Sequence, residues 1–252
     1  MDQEIILETA VRAGLILLRF GGEIYRVEET INRICSSYGL KCESFAIPTG
    51  LIVSVYGEKG ITTICKRIPS RTVDLQKVAH VNAISRQIEK TKPDIKEVIN
   101  ELDHIEKCQP YSQVSTVFGY ALLAFAFSML FGGNRYDAVS AFLVGTVLGV
   151  LQNSFPKDNN FPLIEYFIHS FGTVILSYVF SLIFHDTNVY IIIIGVLSNF
   201  VPGVALINGV RDLLNGDYVS GLAKLGEVFM VLTLLSAGTA IALSLWNLGG
   251  LS

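Results

Sequence analysis

The residues best suited to chemistry interrupt an apolar run between positions 188 and 210. Asn199, Pro202, Gly203 and Asn208 lie within one ten-residue stretch of this run. Proline has no backbone N–H and its ring crowds the carbonyl four residues earlier, so we expect the helix to kink or unwind at Pro202. An interrupted helix in a membrane frees carbonyl groups that can bind polar solutes or ions. A packing kink without function is the alternative interpretation.

Five charged residues follow this motif in a half of the chain that otherwise holds few charges: Arg211, Asp212, Asp217, Lys224 and Glu227. Ionisable groups near hydrocarbon are costly unless they are paired or hydrated. The spacing allows Lys224 to pair with Glu227 and Arg211 with Asp217. One hypothesis is a polar vestibule in which the cations bind a solute carboxylate and the acids bind an ammonium group or a proton. The other is a set of salt bridges that only fixes the loop.

The distribution of charge predicts which parts of the chain position these residues. Of the first 110 residues 30 are charged, against 11 of the remaining 142. Five intervals of the second part have the length and apolarity of transmembrane helices, which need about 20 residues. We therefore predict a small cytoplasmic α+β domain at residues 1–110, followed at 111–252 by a membrane all-α bundle of five transmembrane helices. Their predicted bounds are about 114–132, 138–156, 162–184, 188–210 and 219–246.

Basic residues predict the orientation of the bundle. Lys90, Lys92, Lys96 and Lys107 precede the first span, and such residues favour the cytoplasmic side. We expect the N-terminal domain in the cytoplasm and the C-terminus outside the cell's inner membrane. A net charge of −3 and the lack of a basic stripe argue against nucleic-acid binding. The sequence has no P-loop and no paired cysteine motif, so we predict neither a cofactor nor a metal site.

Several motifs resemble those of one known family, the threonine/serine exporters. Its signature is similar to the run 200–203, Phe-Val-Pro-Gly, and to the run 208–222, Asn-x-x-Arg-Asp-Leu-Leu-Asn-Gly-Asp-Tyr-Val-Ser-Gly-Leu. The first part of the chain also resembles the cytoplasmic domain of that family, in the same order. The residues that carry this second resemblance are Glu23, Arg26, Glu28, Pro48, Thr49, Gly50, Asn82 and Arg86.

The resemblance implies a transporter and not an enzyme. Members of the family occur as one long protein or as two polypeptides, and this chain resembles the longer subunit of the split form. The resemblance therefore implies an oligomer in the lipid bilayer with a second small membrane subunit as partner. It also implies a secondary exporter of small amino acids, such as threonine and serine, or of dicarboxylates such as succinate. We expect the solute near the broken fourth helix and the charged loop after it.

A membrane-tethered hydrolase is the alternative function. It would need a nucleophile and a base in the first domain, where the histidines are His80 and His104. The hydrolase elbow G-x-S-x-G and the zinc motif H-E-x-x-H do not occur in the sequence. The family commonly has Ser-Gly-Ala-Glu where this chain has Phe20-Gly21-Gly22-Glu23, so a serine nucleophile is missing at that place.

Overall fold

The computed structural model describes residues 3–57, 60–108, 111–154, 162–184 and 186–248. The first part contains four helices and three strands: α1 (Gln3–Arg19), α2 (Ile24–Ser37), β1 (Lys41–Ile47), β2 (Gly50–Gly57), β3 (Gly60–Arg67), α3 (Leu75–Thr91) and α4 (Ile95–Lys107). The strands form an antiparallel sheet in the order β1-β2-β3. The predicted mixture of helix and strand in this part of the chain is confirmed.

The core of this part lies between the helices and one face of the sheet. Leu51, Val53 and Val55 of β2 are buried, whereas Ile52 and Tyr56 point to the opposite, exposed face. This alternation follows from the two-residue period of a strand. Buried apolar residues of α1, α2, α3 and α4 join the same core cluster.

The remaining described residues are almost entirely helical: α5 (Gln113–Leu130), α6 (Arg135–Ser154), α7 (Pro162–Ile183), α8 (Val189–Leu197), a 3₁₀ turn (Ser198–Phe200), α9 (Gly203–Leu214) and α10 (Tyr218–Leu248). Among the described residues, α5, α7 and α10 are long and apolar enough to cross a membrane. Residues 189–200 and α9 pass the same test together but are bent by 56°, as in a broken span or a re-entrant loop; counted as one span, the pair raises the number to four.

The predicted number of five spans is therefore matched only in part. The second predicted span, 138–156, corresponds to α6, which is 20 residues long but is not among the helices that qualify as spans. Helix α6 begins at Arg135 and has Asp137 in its first turn, and both charges lower its apolarity. Positions 155 and 156 of that predicted span lie outside the described residues.

The helix break at Pro202 is confirmed. The 3₁₀ turn ends at Phe200, Val201 has extended backbone angles, and α9 begins at Gly203. A residue before proline avoids the helical region because the proline ring would clash with it, which explains the conformation of Val201. The predicted fourth span thus consists of two helices, and the second one continues to Leu214 rather than ending at 210.

The chain divides into two compact units. The first unit comprises Met1–Gln109 and Gly203–Gly226, and the second comprises Pro110–Pro202 and Glu227–Ser252. Helix α9 and the first turns of α10 therefore pack in the same unit as the N-terminal α+β fold. The boundary near residue 110 between a cytoplasmic and a membrane domain stays a prediction.

Candidate functional site

Two charged side chains meet where α9 turns into α10 in the first unit. Asp212 lies near the end of α9 and Lys224 in the second turn of α10. Oδ2 of Asp212 is 2.7 Å from Nζ of Lys224, and the side chains are only 0% and 8% exposed. Burial removes both charges from water at a cost of several kcal/mol per ion, so each depends on the other as its partner.

Two glycines allow α9 and α10 to approach closely enough for this pair to form. A Cβ atom on Gly221 would lie 2.8 Å from the carbonyl oxygen of Gly209 and 2.6 Å from the side chain of Leu213. Real Cβ atoms do not come so close to backbone oxygens, so only glycine fits at position 221 without a shift. The two helices consequently pack backbone against backbone at this crossing.

The bend between α1 and α2 lies beside the ion pair. Gly21 has a φ of +94°, which favours glycine, and the N–H of Gly22 donates to the carbonyl of Leu17 at 2.7 Å. The chain therefore reverses within a few residues after α1. This reversal leaves the first backbone N–H groups of α2 available to an acceptor from another element.

Residues of α9 provide partners for this bend. Oδ1 of Asp212 accepts a hydrogen bond of 3.2 Å from the N–H of Ile24, the first residue of α2. The N-cap residue Glu23 makes no capping bond with its own side chain, so Asp212 supplies the negative charge that a helix N-terminus favours. Nδ2 of Asn208 donates to the carbonyl of Gly21 at 2.8 Å.

Glu23 connects two arginines at the same place. Its carboxylate pairs with Arg211 and accepts a 2.7 Å hydrogen bond from Nε of Arg26. The Glu23 side chain is 7% exposed, whereas that of Arg211 is 54% exposed. Burial alone would raise the pKa of Glu23, but the hydrogen bonds from Arg211 and Arg26 outweigh it and hold the pKa below its usual value. Arg211 is thus the most exposed cation of this group.

Two further acids lie at the edge of the group. Burial raises the pKa of Asp217, and the like charge of Asp212 raises it further, although Lys224 opposes the shift. The pKa of Glu28 is also raised, mainly by burial, while a 2.8 Å hydrogen bond from the N–H of Ala46 opposes the shift and the charge of Asp217 adds to it. These carboxylates hold a proton more readily than exposed acids do.

These contacts define an ion-pair network, by which we mean Glu23, Arg26, Asn208, Arg211, Asp212 and Lys224. All six were predicted from the sequence, Asn208, Arg211, Asp212 and Lys224 in one part of the chain and Glu23 and Arg26 in another. The structure pairs Lys224 with Asp212 and Arg211 with Glu23, whereas the spacing had suggested Glu227 and Asp217 as partners. Arg211 and Asp212 are also helical residues of α9 rather than part of a loop.

The other motif residues of the N-terminal part lie on different elements. Pro48 and Thr49 form the turn between β1 and β2, and Gly50 begins β2. Thr49 and Gly50 line a surface cavity of about 370 Å³ beside the exposed face of the sheet. Asn82 and Arg86 lie on α3, where Arg86 is exposed. We expect these residues to support the fold or to contact other proteins rather than the network.

The second unit contains the remaining predicted residues. Asn199 lies in the 3₁₀ turn, and its Nδ2 donates to the carbonyls of Val196 at 3.1 Å and Tyr120 at 3.4 Å. Its Oδ1 is buried without a hydrogen-bond partner among the described residues. Pro202 ends this unit's part of the broken span, and Glu227 begins its part of α10.

Aromatic residues of the second unit surround the 3₁₀ turn. The ring of Phe200 lies 4.8 Å from that of His169 and 5.8 Å from that of Tyr120, measured between centroids. Tyr166 interacts electrostatically with Tyr120 and with Glu227. We had not predicted Tyr120 or Tyr166 as site residues. The signal for them was the presence of tyrosine hydroxyls inside otherwise apolar helices.

The described residues contain no group of three histidine, cysteine, aspartate or glutamate side chains that could hold a metal ion. The network instead offers three cations, Arg26, Arg211 and Lys224, and two carboxylates, Glu23 and Asp212. A solute carboxylate has the same chemistry as Glu23 or Asp212 and can replace either one as partner of Arg211 or Lys224. This arrangement is suited to binding small charged solutes.

Comparison with known proteins identifies the family. The family model described as "Putative threonine/serine exporter" (ThrE) matches residues 8–246. The chain is 24% identical over 252 residues to the "Probable succinate transporter subunit YjjP" of Escherichia coli K12, covering 99% of this chain and 98% of that protein. It is 21% identical to the "Probable threonine/serine exporter" of Mycobacterium tuberculosis, covering 94% of this chain but only 46% of that protein.

A third relative, an uncharacterized protein of Schizosaccharomyces pombe, is 24% identical over 240 residues, which is 32% of its own length. No solved structure matches the chain significantly. Because the family model covers nearly the whole sequence, the chain belongs to the ThrE family of threonine/serine exporters. Its apolar helices and this membership make it a multi-pass membrane protein of a transporter family.

Proposed function

We propose that this member of the ThrE family is a subunit of a secondary exporter in the cell's inner membrane, for small amino acids such as threonine and serine or for dicarboxylates such as succinate. The names of its bacterial relatives support both solute classes. The match covers 98% of a protein that is named as a transporter subunit, and this supports a second small membrane subunit as partner. The active form would then be an oligomer.

The proposed topology has five spans. They are α5, α6, α7, the broken pair of α8 and α9, and α10, with the N-terminal domain in the cytoplasm and the C-terminus outside. Helix α6 is counted because its 20 residues can cross roughly 30 Å of hydrocarbon despite the charges in its first turn. Exposed apolar side chains on α6, such as Val139, Val147 and Val150, are consistent with a lipid environment.

We assign solute handling to two groups of residues, one in each unit. The group of the first unit is Gly203, Asn208, Arg211, Asp212, Asp217 and Lys224. The group of the second unit is Asn199, Pro202 and Glu227. Glu23, Arg26 and Glu28 of the N-terminal domain are assigned to holding the first group in place. Pro48, Thr49, Gly50, Asn82 and Arg86 are assigned to the cytoplasmic domain's own fold and contacts.

The observation that carries this proposal is the buried pair of Asp212 and Lys224 next to the exposed Arg211. A structural salt bridge needs no accessible third charge, but a solute site does. We expect the solute carboxylate to bind Arg211 first, because that guanidinium is half exposed, and to displace Glu23 from it. A second carboxylate of a dicarboxylate could then reach Lys224, whereas the ammonium group of an amino acid could reach Asp212.

Efflux from the native cells tests this proposal, because any partner subunit is then present. Cells lacking the chromosomal gene would be complemented with the wild-type chain, with Arg211→Gln, or with Arg135→Gln as a control on the exposed start of α6. The cells would be loaded with labelled threonine, serine or succinate. We expect the wild type and the control to restore efflux of at least one solute. Arg211→Gln should lower it roughly tenfold or more, the scale of one lost charge-assisted hydrogen bond.

Failure of the wild type to restore efflux of any of the three solutes would contradict the exporter function. Normal efflux with Arg211→Gln would leave the exporter function in place but contradict the assigned site. The three solutes also separate the two solute classes, because a site that requires an ammonium group would not accept succinate.

A further inference from the structure

A histidine lies directly against the helix break in the second unit. His169 on α7 is only 1% exposed, and its ring centroid is 4.8 Å from that of Phe200. Phe200 is the last residue of the 3₁₀ turn and precedes Pro202 by two positions. The side chain of His169 therefore contacts the residue at which the helix of the broken span ends.

The hydrogen bonding of His169 fixes the atom that can gain a proton. Nδ1 lies 2.7 Å from the carbonyl oxygen of Glu165. A carbonyl oxygen only accepts hydrogen bonds, so Nδ1 carries the ring proton and the lone pair of the neutral ring is on Nε2. Protonation of the ring takes place at Nε2 and leaves the bond to Glu165 unchanged.

The groups around His169 can compensate a positive charge. Glu165, four residues earlier on α7, interacts electrostatically with His169 and favours its charged form. Tyr166, also on α7, interacts with Tyr120 of α5 and with Glu227 of α10. The described residues of this unit contain one arginine and no lysine. The arginine is Arg135, which lies exposed at the start of α6. The charge that acts on His169 is thus that of an acid, and its ring contact is Phe200.

A proton on His169 also changes its contact with Phe200. The neutral ring makes an aromatic contact, whereas an imidazolium at the same distance makes a cation–π contact, which is effective within about 6 Å of a ring centroid. Protonation should therefore hold the 3₁₀ turn more firmly against α7. Loss of the proton should release the turn and the break that follows it.

We propose that His169 is a protonation site that controls the broken span, taking up a proton at Nε2 and holding the turn at Phe200 while it is charged. This inference builds on the proposed exporter function and adds a residue that sets its pH dependence. It predicts that efflux is slow when His169 is charged and faster when it is neutral.

Efflux at a series of pH values tests the proposal in the complemented native cells, with cytoplasmic and external pH equalised by an ionophore. We expect wild-type efflux to rise several-fold from about pH 4.5 to pH 8, a range that extends to the acid side because burial disfavours the charged imidazolium. His169→Asn keeps a donor for the Glu165 carbonyl but cannot ionise, so its efflux should not vary over this range. Phe200→Leu keeps the histidine but removes the ring, so its profile should also flatten. His80→Asn, on the exposed side of α3, is the matched control and should follow the wild type.

Two results would overturn the proposal: a wild-type profile that is flat or falls with pH, or a His169→Asn profile that rises like that of the wild type.

A second measurement separates failure of this proposal from failure of the exporter function. Side-chain ¹⁵N NMR of the purified protein should show a histidine in wild type and in Phe200→Leu that titrates at one nitrogen while the other stays protonated, and His169→Asn should lack it. If the wild type titrates so but transports nothing, the exporter function fails and the protonation site remains. If no such histidine titrates between about pH 4 and pH 9, the protonation site is wrong.

Discussion

Asp212 joins three helices through one carboxylate: Oδ2 is 2.7 Å from Nζ of Lys224 on α10, and Oδ1 accepts the N–H of Ile24 at the start of α2. Asp212 itself belongs to α9. The second half of the broken span is therefore attached by its own charged residue to the N-terminal fold. A change in the position of α9 must break or carry along this contact.

The pair of Asp212 and Lys224 predicts unequal effects of single and double substitutions. Lys224→Met removes one charge and leaves the carboxylate of Asp212 buried without its partner, which costs about 3–5 kcal/mol. The double variant Asp212→Asn with Lys224→Met removes both charges and should recover much of this loss. Thermal unfolding in detergent measures both effects. Asp186→Asn, at an exposed position, serves as the control. A double variant no more stable than Lys224→Met would contradict a coupled buried pair.

The close crossing of α9 and α10 predicts opposite effects of alanine at two glycines of the same helix. Gly221→Ala places its Cβ within 2.8 Å of the Gly209 carbonyl, whereas a Cβ on Gly226 meets nothing within 4 Å. We expect Gly221→Ala to lower the unfolding temperature, and Gly226→Ala to leave it unchanged or raise it, because alanine favours a helix by up to about 1 kcal/mol. Equal effects of the two substitutions would show that the crossing is not tightly packed.

The lowered pKa of Glu23 predicts how its contribution to stability depends on pH. An acid with a lower pKa in the folded state stabilises the fold above its unfolded pKa, near 4.3, and loses this effect as the pH falls through the folded value. The difference in unfolding temperature between wild type and Glu23→Gln should thus be largest near neutral pH and shrink below about pH 4. The control Glu101→Gln, at an exposed position of α4, should show little difference. A Glu23→Gln difference that stays constant from neutral pH to pH 3 would be inconsistent with the pairing to Arg211 and Arg26.

The raised pKa of Asp217 predicts an effect of its charge on stability that is opposite to that of Glu23. The pKa of Asp217 is raised by burial and by Asp212, so the folded state binds a proton more readily than the unfolded chain does. The ionised carboxylate therefore destabilises the fold once the pH rises above the unfolded value of about 3.9 and through the raised folded value. Asp217→Asn should unfold at a higher temperature than the wild type at neutral pH, with the gain disappearing in acid. A loss of stability at neutral pH would indicate that the charge of Asp217 is required by the fold.

Local patterns in the sequence predicted the elements but not the partners of the charges. Pro202 affects the backbone of its own neighbours, so the position of the helix break could be predicted from this one residue. The alternation of β2 and the helical periodicity of α1 and α2 are likewise local. The pairing of Glu23 with Arg211 joins residues 188 positions apart, and only the fold brings them together. The spacing of charges along α10 favoured Lys224 with Glu227, but the glycine crossing places Asp212 next to Lys224 instead.

The number of transmembrane spans could be predicted from the sequence only in part. Uncharged intervals identify helices that can enter a membrane, but they do not show whether a helix pair broken at Pro202 crosses it once. They also do not show that α9 packs with the N-terminal fold, because this depends on Asn208 and Asp212 finding backbone partners at Gly21 and Ile24. The family resemblance, in contrast, was carried by continuous motifs and is confirmed over residues 8–246.

Solute efflux from cells carrying the double variant Asp212→Asn with Lys224→Met tests the central claim most directly. This variant removes the buried charges together, so the fold should persist and its unfolding temperature can be checked in parallel. We predict that the double variant is present in the membrane in wild-type amounts but restores no efflux of threonine, serine or succinate. Efflux at the wild-type rate would contradict the assignment of the network to transport and leave its charges with a purely structural role.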